Sequence, residues 1–125
     1  FPVDEPPSVA GAEWIIGLDG AMPAAYCAWK TVEHGDVQVG FHYRAGVLPE
    51  YRGHGLQRRM LRLREIRMRA QGLAVAVTYT DADGAASMRS LIAEGYRPYA
   101  PTPATTLSGP GRVGRVGFVH WRKDL

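Results

Sequence analysis

The sequence predicts a mixed α/β domain built on one central sheet of about five to seven strands flanked by helices. Three observations lead there. Apolar runs with strand character occupy roughly the first fifty residues and the C-terminal end. Two stretches between them change to a helical period. Glycine, proline or Asp-Gly punctuation separates each run from the next.

Residues 1–12, FPVDEPPSVAGA, are rich in proline and small side chains and read as an extended lead-in. Residues 13–33 read as two strands turning at Asp19-Gly20, because Asp-Gly suits the positive φ of a tight hairpin. His34-Gly35 breaks the pattern before DVQVGFHYRAGVLP, 36–49, which is long enough for a central strand. Gly40 and Gly46 inside it suggest bends or a bulge, and Pro49 ends it. From 55 to about 71 the period becomes helical, and Gly72 closes the segment. Leu56, Met60, Leu63 and Arg67 form one stripe with Ile66 and Ala70 beside it, which leaves the arginines on a wet side. LAVAVTYT, 73–80, is short and apolar, as a buried strand should be. A second helix spans about 85–94 and stops at Gly95. YRPYA reads as a short strand or turn, 101–112 as a loop and 113–124 as a final strand.

At 125 residues the chain is one domain, able to bury roughly two-thirds of its unfolded surface. Its apolar share of 46% excludes wholesale disorder. No apolar run approaches the ~18 residues of a membrane span. Cys27 is the single cysteine, so an intramolecular disulfide is excluded and a reducing, cytoplasmic setting is expected. No secretory signal appears at the start, so none is expected, and the start at Phe1 reads as a processed or trimmed chain. The four histidines and Cys27 lack metal-type spacing, so no metal site is expected. No Gly-x-Ser-x-Gly occurs, which argues against a serine hydrolase.

Charge is placed unevenly. Six of the thirteen arginines lie between Arg58 and Arg69, which points to an anionic partner or to a solvated helix face. The stretch VLPEYRGHGLQRR, 47–59, sets a glycine-containing turn just before that helix. The first amides of a helix have no intrahelical partner, and that end carries a partial positive charge of about half a unit. Gly53 and Gly55 let an anion approach the backbone, and Arg52, Arg58 and Arg59 add donors matched to phosphate oxygens. This arrangement suits a pyrophosphate. A dinucleotide fingerprint would need glycine where Arg58 stands, and a Walker loop needs a Gly-Lys-Ser/Thr triplet that is absent.

In context, GVLPEYRGHGLQRRML resembles the signature of the GCN5-related N-acetyltransferases (GNATs), Arg/Gln-x-x-Gly-x-Gly/Ala after a strand ending Val-x-Pro. It falls here on Arg52, Gly55 and Gln57, the last departing from the usual Gly/Ala. The segment 75–99 is similar to the family's next strand and helix, with Ser87, Gly95 and Tyr96 matching and Gly84 standing where asparagine is frequent. The final VGFVHWRKDL resembles the last strand of an uncharacterised subgroup. The likeness runs from about Glu13 to Leu125.

The resemblance implies two central parallel strands that splay apart around acetyl-CoA, with no metal. Ala45, Gly46 and Val47 would offer main-chain partners to the pantetheine arm, with a bulge near Gly46 aiming an amide at the thioester oxygen. Arg52, Gly53, His54, Gly55, Leu56, Gln57 and Arg58 would cradle the pyrophosphate, and Ser87 would bond the cofactor. The reaction implied is direct attack on the thioester by a primary amine, small-molecule or peptide, in a ternary complex. An amine with pKa near 10.4 is unprotonated in only about one molecule in a thousand at neutral pH, so a base is useful. The family's frequent carboxylate position is His42 here, a candidate base competing with a histidine that merely packs; Asp36 and Glu50 are fallbacks. The usual acid tyrosine position is Leu91, and of the nearby tyrosines 79, 96 and 99, Tyr96 is the candidate proton donor. The family usually carries a strand and one or two helices ahead of the matching region, and only about a dozen residues precede Trp14 here. Either that part has been removed or is disordered, or the acceptor site is built otherwise, as by a second subunit of a homodimer. Two other readings stay open: a CoA-binding relative without turnover, and a nucleic-acid binder using the arginine-rich helix 57–70, disfavoured because apolar residues alternate with its arginines.

Overall fold

The structure, a computed structural model, describes residues 11–102 and 118–125. Most of the predicted lead-in, nearly all of the predicted 101–112 loop and the start of the predicted last strand lie outside the described residues. A first hairpin joins β1 (Ala12–Asp19) to β2 (Met22–His34); Asp19 pairs with Met22, so the turn falls on Gly20 and Ala21, one residue beyond the expected Asp19-Gly20, with Gly20 supplying the positive φ. A second joins β2 to β3 (Val37–Val47). A 3₁₀ turn, Pro49–Tyr51, follows, where proline supplies the required φ. The remaining elements are α1 (Leu56–Ala70), β4 (Val75–Asp81), α2 (Ala85–Ala93), β5 (Arg97–Tyr99) and β6 (Phe118–Asp124). Among the described residues six strands lie in the order β1-β2-β3-β4-β6-β5, with β3 and β4 parallel and every other neighbouring pair antiparallel.

Leu61 and Met68 of α1 and Leu91 of α2 share one buried cluster with Trp29, Ala76 and Trp121, so both helices cover the same face of the sheet. Alternation along the strands puts Val39, Phe41 and Val77 on the opposite face, in a cluster of their own. Helix α1 sits very close to β3. A Cβ added to Gly40 would stand 2.4 Å from the Met68 sulfur, and Met68 is wholly buried. Glycine at 40 is therefore a packing requirement rather than a bend.

The buried stripe of α1 differs from the expected one. Met60, Leu61, Arg64, Glu65 and Met68 face the sheet, whereas Leu63 and Ile66 are exposed. Apolar spacing alone cannot separate these stripes, because the true one contains an arginine and a glutamate. The guanidinium of Arg64 is satisfied inside by the carbonyls of Met60, Ala28 and Arg44. A buried charge is tolerable only when its donors are matched in this way.

Candidate functional site

Strands β3 and β4 pair at only two positions, Gly40 with Ala76 and Phe41 with Val77. Beyond them both strands continue but separate. The cause lies on the other edge of β3: His42 opposes Trp29 and Arg44 opposes Ala28, so Tyr43 is an extra residue. Such a bulge bends and twists its strand. The expected bulge near Gly46 is thus at Tyr43, and Gly46 has another role. A Cβ there would meet the ring of its cross-strand partner Tyr26 at 2.4 Å. The Thr78 hydroxyl donates to the His42 carbonyl at 3.1 Å, bridging the strands just as they part.

The parted edge of β3 is available to a ligand. Leu48 N–H donates to Ala24 O at 2.9 Å, and alternation then turns the amides of Val47 and Ala45 away from β2, toward the gap. Gly53 and Gly55 follow in left-handed conformation, with φ of 82° and 75°. Their backbone shape favours glycine, and the space where a Cβ would stand is open within 4 Å. Helix α1 starts with no side-chain cap. Arg59 N–H is the first amide to find a carbonyl, that of Gly55; among the described residues those of Leu56, Gln57 and Arg58 find none.

A groove of about 560 Å³ lies at this joint. Its walls include Ala45, Gly46, Val47, Arg52, Gly53, Gly55, Leu56, Gln57, Arg58 and Ser87, which brings together every sequence-selected cofactor residue except His54. Arg52 crosses back to the Val47 carbonyl through Nε, and Arg58 Nε is tied to Glu94 at 2.7 Å. Arg62 grips the same carboxylate with two hydrogen bonds, and the two guanidiniums help hold Glu94 down to about 2. Arg67 pairs with Glu13, and Arg69 lies 3.7 Å from Glu65. Much of the positive stretch is therefore neutralised within the fold.

A smaller pocket of about 170 Å³ continues the groove between the splayed strands, sharing Ala45, Gln57, Ser87 and Ser90 with it. His42, Thr78 and Leu91 stand on its wall. The fallback bases lie away from it: Asp36 is in the β2–β3 turn and Glu50 in the exposed 3₁₀ turn.

Tyr96, selected as a proton donor, does not line the pocket. It lies behind His42 in the core, its oxygen 2.5 Å from His42 Nε2 and 2.8 Å from Glu65 Oε2. Burial and the Glu65 carboxylate push its hydroxyl far above the ordinary tyrosine range, which removes it as an acid for a departing thiolate. Glu65 Oε1 is bonded by Lys123 Nζ at 2.9 Å. His42 is buried at the pocket wall, and burial, reinforced by Arg64 and Lys123, holds its imidazole well below the usual histidine range, so the ring is neutral. Its Nδ1 is buried and has no hydrogen-bond partner among the described residues. Sequence reasoning missed Glu65 and Lys123. One looks like a surface residue among arginines and the other like a strand end, and neither carries a local signal.

No family model matches the sequence, and no curated protein matches it. Solved structures match in shape. PaiA N-acetyltransferase from Thermoplasma acidophilum, solved with coenzyme A, superposes with a TM-score of 0.72 at 11% identity, covering 94% of this chain and 64% of that one. The NatC complex bound to Gag peptide and CoA gives 0.73 at 16% identity, covering 90% and 70%. A GNAT-family acetyltransferase from Streptococcus pneumoniae gives 0.71 at 13%, covering 92% and 68%. The chain spans about two-thirds of the length of these proteins. It has the fold of the GCN5-related N-acetyltransferases.

Proposed function

We propose that this chain is an acetyl-CoA-dependent N-acetyltransferase acting on a primary amine, small-molecule or peptide. The observation that carries the reading is the coincidence of two features. The parallel strands part after two pairs, and the unpartnered amides of α1 open onto the same groove. The group expected there fits. The amides of Leu56, Gln57 and Arg58, with Arg52, match a diphosphate, and the free edge at Val47 and Ala45 matches an amide-bearing arm. Acetyl-CoA, when bound, supplies an acetyl thioester whose C–S bond is exchanged for an amide bond.

The chain's own residues would act as follows. Arg52 and the helix amides fix the anionic end. The Ala45 amide, nearest the bulge among those turned to the gap, donates to the carbonyl oxygen on which negative charge grows. His42 is the base, taking the ammonium proton of the acceptor directly or through one water. Ser87 and Ser90 bring hydroxyls to the cofactor side of the pocket.

A second reading, a CoA binder without turnover, draws support from Leu91 at the acid position and from the withdrawal of Tyr96 into the core. The nucleic-acid reading is disfavoured, since Arg58, Arg62 and Arg67 are ion-paired, Arg69 lies near Glu65 and Arg64 is buried. Calorimetry with acetyl-CoA and with duplex DNA at two salt concentrations separates these readings. Acetyl-CoA binding with thiol release across an amine panel supports the enzyme. Binding without release supports the inactive relative. Salt-sensitive DNA binding without acetyl-CoA binding overturns both.

A further inference from the structure

The hydrogen bonds behind the pocket determine where the protons sit. Tyr96 has a single hydroxyl proton and two neighbours, His42 Nε2 and Glu65 Oε2. Glu65 is ion-paired with Lys123, has Arg69 nearby, and is an acceptor only. The Tyr96 proton is therefore directed at Glu65, and the tyrosine oxygen presents only lone pairs to the histidine. His42 Nε2 must then be the donor. A neutral imidazole carries one proton, so Nδ1 is bare.

We propose that Glu65, acting through Tyr96, fixes His42 as the Nε2-protonated tautomer and leaves Nδ1, buried in a residue of the pocket wall, as the ring's one accepting nitrogen, with Lys123 holding Glu65 in place. Glu65, Tyr96 and Lys123 are positioning residues. The inference rests on the acetyltransferase reading only for what Nδ1 accepts; the tautomer itself follows from the hydrogen bonds. Two further features agree with it. Nδ1 is a buried ring atom that no group among the described residues satisfies, and His42 stands on the pocket wall whereas Tyr96 does not. The charged and polar groups that act on the ring, directly or through Tyr96, are Arg64 and Glu65 from α1, Thr78 from β4, Tyr96 after α2 and Lys123 from β6, while β2 sets the apolar Trp29 opposite His42. Arg64 and Lys123 both oppose a second proton on the ring.

Substitution at Glu65 gives a directional test. In Glu65→Gln, the amide oxygen is claimed by Lys123 and the amide NH₂ faces Tyr96. The tyrosine then accepts from the glutamine and donates to Nε2, so the histidine proton moves to Nδ1. Long-range ¹H–¹⁵N spectra of protein labelled in histidine, with His42 assigned by loss of its signal in His42→Gln, read the tautomer without any substrate. The expected result is a protonated Nε2 in the wild type and a protonated Nδ1 in Glu65→Gln. That variant's kcat should fall about 100-fold or more, with acetyl-CoA affinity held within about twofold, as expected for a base presenting the wrong nitrogen. A wild type protonated on Nδ1 overturns the proposal, and so does a Glu65→Gln protein whose tautomer is unchanged. The wild-type spectrum decides the matter even if the variant does not fold. The stated tautomer in a protein that ignores acetyl-CoA would sink the acetyltransferase reading alone, whereas turnover with the opposite tautomer would sink this inference alone.

Discussion

The two halves of β3 sit under opposite constraints. The first half is committed to packing: Gly40 and Phe41 pair with β4, and Met68 of α1 lies so close to Gly40 that a Cβ there would force the buried methionine to move. The second half, past the extra residue Tyr43, gives up its partner strand and turns the amides of Ala45 and Val47 to an open gap. Unpaired amides in a sheet interior are costly unless something else satisfies them. An exposed strand edge facing a groove of about 560 Å³, beside uncapped helix amides, is how a fold keeps donors ready for a ligand. Packing dominates one half, and the other half is where binding is proposed, with His42 at the seam.

That division can be broken in graded ways. The largest effect is expected at the seam. His42→Ala should lower turnover by about 100-fold or more while acetyl-CoA affinity stays within about twofold, read by steady-state kinetics beside calorimetry. Equal activity in the variant would return His42 to a packing role. Next comes the closed half, where Gly40→Ala forces a methyl group into Met68. A loss of about 2 kcal/mol in urea unfolding is expected, with cofactor affinity per folded molecule unchanged. In the open half the pattern reverses. Arg52→Ala should weaken acetyl-CoA binding about tenfold, the scale of one charge-assisted hydrogen bond, while stability moves by less than about 0.5 kcal/mol. An unfolded Arg52→Ala, or a Gly40→Ala protein that loses affinity but not stability, would erase the contrast between the halves.

The smallest effect near neutral pH is electrostatic. The folded protein holds His42 well below its unfolded pKa of about 6.5, so as pH falls the unfolded chain takes up a proton that the folded chain resists. The stabilisation from the neutral ring is present above about pH 6.5 and is lost as pH drops below it. Urea midpoints at pH 7.5 and 5.5 should differ more in the wild type than in His42→Gln. Equal differences would place the sensitivity elsewhere, for instance at His120, which burial also lowers.

Much of this arrangement was legible in the chain. The turn at Gly20, the pre-helix glycines, the helical period of 55–71 and the apolar run before Asp81 each report a local preference: positive φ, periodicity or β-propensity. The groove-lining residues Arg52, Gly53, Gly55, Gln57 and Arg58 fall within seven positions of one another, so a motif can carry them. The bulge at Tyr43 was displaced from its expected place because bulges depend on cross-strand register, which no single strand encodes. The buried face of α1 was misjudged because Arg64 and Glu65 are polar by composition and interior by partnership.

By itself the sequence determined where the chain turns, which segments can be strands or helices, and that a glycine-containing joint flanked by arginines precedes the first helix. These are properties of neighbouring residues and their backbone preferences. Tertiary structure alone decided that Glu65, Tyr96, Lys123 and His42, far apart in sequence, share one run of hydrogen bonds. It also decided that Tyr96 is withdrawn from the pocket while His42 remains at its wall. Proton positions in such a run follow from who faces whom across the packed core, and only the fold brings those partners together.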